Sequence, residues 1–166
     1  MRTGRAKFRT IDDLADEREH WRSSGKTVVW TNGCFDLLHA GHIRSLRDAK
    51  ALGDILIVGL NSDRSVRSIK GEQRPLVNEA DRAEMIAALE MVDYVTIFEE
   101  STPEPALARL RPDIHCKGAE YADGARPVPE MATVLAYGGQ VKFLPFHPGR
   151  STSELIERIV RAAQCQ

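Results

Sequence analysis

Two kinds of segment alternate along this chain: short apolar runs, and longer stretches in which apolar residues recur at helical spacing. Continuous apolar runs of this length are typical of strands buried in a parallel sheet, whereas the spaced pattern is typical of helices with one buried face. The apolar runs predict five strands, at residues 27–31, 55–60, 94–98, 114–117 and 141–144.

The segments between these runs predict the helices. Thr10 is a capping residue followed by two acids, and it predicts a first helix that ends near Ser23. The second predicted helix spans residues 41–52, and a third, longer one begins after Asn78. Further helices are predicted after Pro103 and from about Ser151, whereas residues 61–77 are mainly polar.

The regular alternation predicts an α/β fold with a parallel five-stranded sheet covered by helices on both faces. A length of 166 residues suits one domain, with residues 1–9 loosely attached. In such sheets, ligands bind at the carboxyl ends of the strands, near the point where the strand order reverses. We therefore expect one site at that edge.

Charge and cysteine usage narrow the function classes. The chain has 23 Lys and Arg against 24 Asp and Glu, so it lacks the basic surface of a general nucleic-acid or membrane binder. No apolar run approaches the roughly 20 residues that span a bilayer, and the polar N-terminus does not resemble a signal peptide. Three scattered cysteines give no disulfide framework and fit a reducing compartment, so a cytoplasmic location is expected.

The most informative motif is residues 31–42, which follows the first strand and ends in His39-Ala40-Gly41-His42. Two imidazoles three residues apart at a helix start can face one bound anion, and the glycine lets that anion approach the backbone. Two surface histidines, or half of a zinc site with Cys34, are the alternatives. A zinc site needs further ligands, and the sequence offers no convincing ones.

Other polar clusters follow the remaining strand ends. Lys70 and Arg74 come after the second strand, and Lys117 comes after the fourth. The segment 149–154 follows the fifth strand and reads as a capping box at a helix start, which is itself an anion site. No dinucleotide-binding or P-loop pattern occurs. The clusters are rich in cations and hydroxyls, which suits a site that holds phosphates.

Four blocks together resemble the HxGH nucleotidyltransferases, in their cytidylyltransferase-like branch and closest to the heptose 1-phosphate adenylyltransferases. The blocks are residues 31–42, 69–75, 117–121 and 149–154, and the resemblance extends from about Lys7 to Ile159. It implies a Rossmann-like sheet. Ala119 and Glu120 depart from the family pattern, which has Gly and Asp at these positions.

The resemblance implies roles residue by residue. His39, His42 and Lys70 correspond to the catalytic groups that hold the phosphates. The implied nucleotide-binding residues are Thr31, Asn32, Gly33, Phe35, Asp36, Gly41, Lys117, Gly118, Gly149, Arg150, Ser151, Thr152 and Ser153. Weaker substrate-binding candidates are Asn61, Asp63, Arg74, Arg82 and Glu120.

Two of the weaker candidates have a structural alternative. Asp63 could cap a short helix or hold polar groups in the site, and we favour the cap. Arg82 could equally be an ion-pair partner on its helix. Cys34 is interpreted as a small packed residue rather than a nucleophile.

The implied reaction transfers AMP from ATP to a sugar 1-phosphate, D-glycero-D-manno-heptose 1-phosphate, and releases pyrophosphate. Mg²⁺ would enter with ATP rather than on protein carboxylates. The expected partners are ATP and the sugar phosphate, a homo-oligomer of two or more copies, and a separate sugar kinase and phosphatase upstream. Two alternatives stay open: a cytidylyltransferase acting on glycerol 3-phosphate or a related alcohol phosphate, and a non-catalytic nucleotide sensor. Pyrophosphate release separates the sensor from the enzymes.

Overall fold

A computed structural model describes residues 4–122, 127–145 and 152–164. Five parallel strands form one sheet, and helices cover both of its faces. The strands are β1 (Val28–Gly33), β2 (Ile55–Asn61), β3 (Tyr94–Phe98), β4 (Ile114–Gly118) and β5 (Gln140–Leu144). The helices are α1 (Gly4–Lys7), α2 (Ile11–Ser23), α3 (Ala40–Lys50), α4 (Asp63–Lys70), α5 (Glu79–Ala87), α6 (Glu104–Leu110), α7 (Met131–Ala136) and α8 (Thr152–Gln164), and a short 3-10 turn spans Ala119–Tyr121.

The strand order is β3-β2-β1-β4-β5, with every neighbouring pair parallel. The chain builds outward from β1 to β3, then returns to the other side of β1 for β4 and β5. The order therefore reverses between β1 and β4, and Thr31 in β1 lies opposite both Val58 in β2 and Cys116 in β4. This is the switch point at which open α/β sheets leave a crevice for a ligand.

A separate apolar core lies on each face of the sheet. One core packs Leu46 of α3 and Ile86 of α5 against the strands. The other packs Leu14 of α2 and Leu107 of α6 on the opposite face. The sheet is thus buried on both sides, as its continuous apolar strands predict.

Most predicted elements are confirmed, and so is the predicted α/β architecture. Thr10 and Asp13 form the capping box of α2, and the Asn78 side chain caps α5 by accepting from the N–H of Asp81. Residues 61–77, predicted as a polar segment in which Asp63 could cap a short helix, contain α4. Its N-cap is Ser62 rather than Asp63, and its buried side chains are Ser65 and Val66. The short helix α7 was not predicted.

None of the described helices combines the length and apolar character needed to cross a membrane.

Candidate active site

A cavity of about 500 Å³ opens at the carboxyl ends of β1 and β4. We call it the switch-point cavity. Its lining includes the end of β1 with the following loop, the start of α3, the end of α4, the end of β4 with its 3-10 turn, and the first residue of α8, Thr152. The ends of β2 and β5, residues 101–103 and residues 127, 129 and 130 also contribute. The sheet topology thus brings together segments that are far apart in sequence.

The loop after β1 makes a strained turn beside the cavity. Phe35 has a φ of +47°, in the left-handed region that bulky residues seldom occupy. Its ring lies over Gly33, where an added Cβ would stand 3.2 Å from the ring, and it packs against the His42 ring at 5.1 Å between centroids. Strain of this kind persists only where the surroundings enforce it, and it collects at functional sites. The turn thus places the Phe35 ring against one side of the His42 ring.

The two histidines of the motif form the N-terminal cap of α3. His39 is the N-cap residue, and its Nδ1 accepts from the backbone N–H of Gly41 at 3.1 Å. The Nδ1 of His42 accepts from the backbone N–H of His39 at 3.4 Å. A neutral imidazole that accepts at Nδ1 carries its proton on Nε2. Both rings are therefore set as Nε2–H donors.

The same two rings stack at 3.8 Å between centroids. Burial, together with the nearby His39 and Lys70, lowers the pKa of His42 from 6.5 to about 4. His42 is thus a neutral donor at neutral pH. Of the two histidines, His42 lines the described part of the cavity, whereas His39 lies against its ring.

Lys70 is the last residue of α4 and lines the cavity with an exposed side chain. The sequence pattern predicted only a polar segment here, so its position at a helix end is a correction. No carboxylate among the described residues pairs with its ammonium. Its positive charge contributes to the lowered pKa of His42. The same charge also favours the Cys34 thiolate, but burial outweighs it and raises the pKa of Cys34.

Asp36 is a clasp rather than a free polar group. Its side chain is fully buried, and it accepts from the Arg74 guanidinium and from the backbone N–H groups of Leu76 (2.7 Å) and Val77 (3.0 Å). Burial opposes ionisation, but these donors outweigh it and hold the pKa of Asp36 below its usual value. Arg74 thus points to Asp36 and is not part of the cavity lining among the described residues.

Arg82 is likewise part of the scaffold. It is fully buried and donates to Asp63 (2.7 Å) and to the backbone carbonyls of Cys34 (2.5 Å) and Val77 (2.9 Å). These bonds tie α5 to the loop after β1. Of the predicted weaker binders, Arg82 and Asp63 therefore form an ion pair with each other, as the structural alternative for Arg82 predicted. The capping role favoured for Asp63 is wrong.

Asn61 does reach the cavity, at the end of β2. It is buried, and its amide donates to the Ser65 hydroxyl at 3.0 Å. Thr31, Asn32 and Gly33 also line the cavity, as β1 ends there.

The β4 end carries a buried cluster that the sequence analysis missed. Glu130 directly precedes α7, and its Oε1 accepts from Lys117 Nζ at 2.8 Å and contacts His115 Nε2 at 3.1 Å. Burial would raise the pKa of Glu130, but these two donors lower it to about 2. The Lys117 ammonium also lies 4.5 Å from the centroid of the Tyr121 ring.

Glu120 folds back over Gly118. A Cβ added at Gly118 would stand 2.1 Å from a Glu120 carboxylate oxygen, so the exposed Glu120 side chain would have to move aside. Both residues line the cavity. The longer acid that departs from the family pattern is thus accommodated on the cavity wall.

Some predicted binders cannot be placed. Gly149, Arg150, Ser151 and the side chain of Ser153 lie outside the described residues. Gly41 is buried in the first turn of α3, behind the histidines. In the described part of the chain, no group of three or more His, Cys, Asp or Glu residues could hold a metal ion.

The sequence profile of the cytidylyltransferase-like family matches residues 30–158, from β1 into α8. The chain belongs to this family. The match spans more than half of the sequence and covers the whole cavity, so the resemblance found in the motifs is confirmed. Membership makes the domain a nucleotidyltransferase.

Curated relatives agree over nearly the whole chain. It is 48% identical over 157 residues to Bifunctional protein HldE of Geobacter metallireducens, which covers 95% of this chain and 32% of that protein. It is 49% identical to Bifunctional protein HldE of Citrifermentans bemidjiense, over 93% of this chain and 31% of that one. The chain thus spans about a third of the length of these relatives.

One similar solved structure is the lipopolysaccharide core biosynthesis protein from Thermoplasma volcanium. It superposes with a TM-score of 0.60 at 28% identity, covering 74% of this chain and 98% of that one.

Proposed function

We propose that this domain transfers AMP from ATP to D-glycero-D-manno-heptose 1-phosphate, giving ADP-heptose and pyrophosphate. The observation that carries the proposal is the presence, in the switch-point cavity, of a neutral Nε2–H donor, His42, and of the Lys70 ammonium, which has no carboxylate partner among the described residues. Neither group is a strong base, and both are suited to hold phosphate oxygens.

The reaction needs positioning more than proton transfer. An oxygen of the sugar phosphate attacks the α-phosphorus of ATP, a new P–O bond forms, and the bond from the α-phosphorus to the bridging oxygen breaks. The attacking phosphate is already largely ionised, because the second pKa of a phosphate monoester is about 6. The protein must therefore align two anions and stabilise the charge that grows on the leaving pyrophosphate.

His42 would donate from Nε2 to a phosphate oxygen, with its tautomer fixed by the N–H of His39. Lys70 would bring a full positive charge to the same oxygens from the end of α4. The start of α8 at Thr152 offers backbone N–H groups at a helix N-terminus, which favours an anion.

Magnesium would enter with the triphosphate. Two of the three carboxylates among the described cavity residues, Asp36 and Glu130, already accept from cations. With few carboxylates left to coordinate a metal, the cavity fits a magnesium ion held mainly by phosphate oxygens and water. When bound, Mg²⁺ would neutralise charge on the pyrophosphate.

The choice of a heptose 1-phosphate rests on the resemblance of residues 117–121 and on the relatives named Bifunctional protein HldE. The solved relative is described as a lipopolysaccharide core biosynthesis protein, which is compatible with an activated sugar as product.

A matrix of nucleoside triphosphates against sugar and alcohol phosphates, read by pyrophosphate release, tests the proposal. We expect ATP with the manno-heptose 1-phosphate to give the highest kcat/KM, and CTP to be much poorer. A clear preference for CTP with glycerol 3-phosphate would replace this function with the cytidylyltransferase alternative. No pyrophosphate from any pair, together with tight ATP binding, would favour a nucleotide sensor.

A further inference from the structure

His115, Lys117 and Glu130 form a cluster of polar and charged side chains that is unusually buried for a small domain. Glu130 and His115 are almost fully buried, at 1% and 0% exposure. Buried charged groups seldom stabilise a fold more than apolar residues of the same volume would. Such a cluster therefore calls for a role besides stability.

The geometry of β4 explains why the three groups meet. His115 and Lys117 are two residues apart in one strand, so their side chains point to the same face. Glu130 lies across from that face, and a single oxygen, Oε1, contacts both His115 Nε2 and Lys117 Nζ. An ionised carboxylate only accepts, so His115 donates from Nε2 and is the Nε2–H tautomer.

This tautomer leaves Nδ1 of His115 as a buried acceptor, and no hydrogen-bond partner for it exists among the described residues. An unsatisfied buried polar atom costs on the order of 1–3 kcal/mol. Despite this unfavourable contribution, the His115 ring is oriented with Nε2 towards Glu130. Burial lowers the pKa of His115 although Glu130 opposes the shift, so the ring stays neutral and braces the carboxylate.

Lys117 is thereby held from two sides. One proton of its ammonium is directed to Glu130, and the Tyr121 ring lies 4.5 Å away. Its side chain is only 13% exposed, yet the residue lines the switch-point cavity. The remaining ammonium protons are the ones left for a ligand in the cavity.

We propose that Glu130, braced by His115, is a positioning residue that fixes the Lys117 ammonium for binding of the nucleotide. This inference rests on the proposed function for the identity of the ligand. The Glu130 carboxylate also balances the positive charge of the Lys117 ammonium, so that Lys117 serves as a directed hydrogen-bond donor.

A double-mutant cycle on ATP affinity tests the coupling, with the dissociation constant of Mg-ATP measured by calorimetry. Glu130→Gln keeps the shape of the side chain but removes the charge, and Lys117→Met removes the ammonium. We expect each single change to weaken binding roughly tenfold, and the double variant to be no weaker than either single variant. A roughly hundredfold loss in the double variant would show that Glu130 acts independently of Lys117 and would overturn the inference.

Asp113→Asn is the matched control. Asp113 directly precedes β4, at the amino end of the strand, where it pairs with the buried Arg18 at 2.7 Å, and it is not among the described lining residues of the cavity. It should lower the melting temperature but leave ATP affinity unchanged. If Glu130→Gln does not fold, His115→Asn removes the brace while keeping the carboxylate, and the same non-additivity with Lys117→Met is expected.

A second measurement does not depend on ATP. Trace acetylation of lysines, followed by mass spectrometry, should label Lys117 several-fold faster in Glu130→Gln than in the unchanged protein, with no change in Asp113→Asn. Equal labelling would overturn the inference. Failure of the unchanged protein to bind ATP would reject the proposed function, while the labelling result would still decide whether Glu130 holds Lys117.

Discussion

The two lysines of the switch-point cavity are held in opposite ways. Lys117 stands at the end of a central strand, paired with a buried carboxylate and beside an aromatic ring. Lys70 ends a helix of eight residues, is exposed, and has no carboxylate partner among the described residues. One wall of the cavity is therefore fixed before any ligand arrives, whereas the other presents an uncompensated charge.

The difference separates two tasks. A rigid, neutralised donor suits selection of a ligand, because it loses little entropy and presents one direction. A free ammonium at a helix end suits the growth of negative charge during reaction, when full charge counts most. Closure of the Lys70 wall over a bound triphosphate would also exclude water from the reacting groups.

The largest expected effect falls on His42, at the start of α3, which belongs to neither lysine wall. His42→Ala should lower kcat by roughly 100-fold or more, because it removes a preorganised donor to charge in the transition state. Steady-state kinetics with pyrophosphate detection measures this. His20→Ala, an exposed histidine on α2, is the control and should keep full activity. Activity within a few-fold, or zinc that is lost with the mutation, would contradict the phosphate role of His42.

Removing the free charge of the Lys70 wall should cost somewhat less. Lys70→Ala should lower kcat on the order of 10- to 100-fold, as a charged hydrogen bond is lost, with the melting temperature unchanged because the side chain is exposed. Arg67→Ala removes another exposed cation from the same helix and should leave kcat unchanged. If both variants lose activity equally, only the general charge of α4 counts.

The contrast between the walls also shows what a sequence can predict. The strands and most of the helices follow from apolar runs and from the alternation of elements, and the structure confirms them; it also has a cavity at the carboxyl ends, where the site is expected. The caps at Thr10 and Asn78 are likewise confirmed, because capping depends on neighbours within one turn.

The rest depends on burial and on distant contacts. Asp36, Arg74 and Arg82 are charged residues near the motif, but only the fold shows that they bind protein groups. Glu130 lies 13 residues after Lys117 and has no motif of its own, so no local pattern could link them. A short helix near Asp63 was one of the alternatives, and the structure places its N-cap one residue earlier, at Ser62.

A smaller effect is expected in hydrogen exchange around Lys70. Residues 68–73 comprise the last turn of α4 and the residues that lead from it to the Asp36 clasp, which anchors Arg74. We expect fast exchange in this segment without ligand and slower exchange with Mg-ATP, as the ammonium reaches the phosphates. Asp36→Asn weakens the anchor and should extend fast exchange to residues 76 and 77, whose N–H groups Asp36 accepts. Equal protection with and without ATP would contradict the idea that this wall closes over the nucleotide.

The smallest expected effect is a change in how stability depends on pH. The pKa of folded His42 is about 4, against 6.5 for an ordinary histidine. As pH falls below 6.5, His42 becomes protonated in the unfolded chain but stays neutral in the folded protein. The free energy of unfolding should therefore decline until pH reaches the folded pKa. Urea titrations from pH 7.5 to 4.5, a range of about three pH units chosen to span this window, should show this decline, by less than about 1.4 kcal/mol per pH unit for this residue. His42→Ala should flatten the decline, and Lys70→Ala should do so only slightly, because burial is the largest cause of the shift and Lys70 the smallest. Equal flattening by both variants would mean that the Lys70 ammonium, and not burial, keeps His42 neutral.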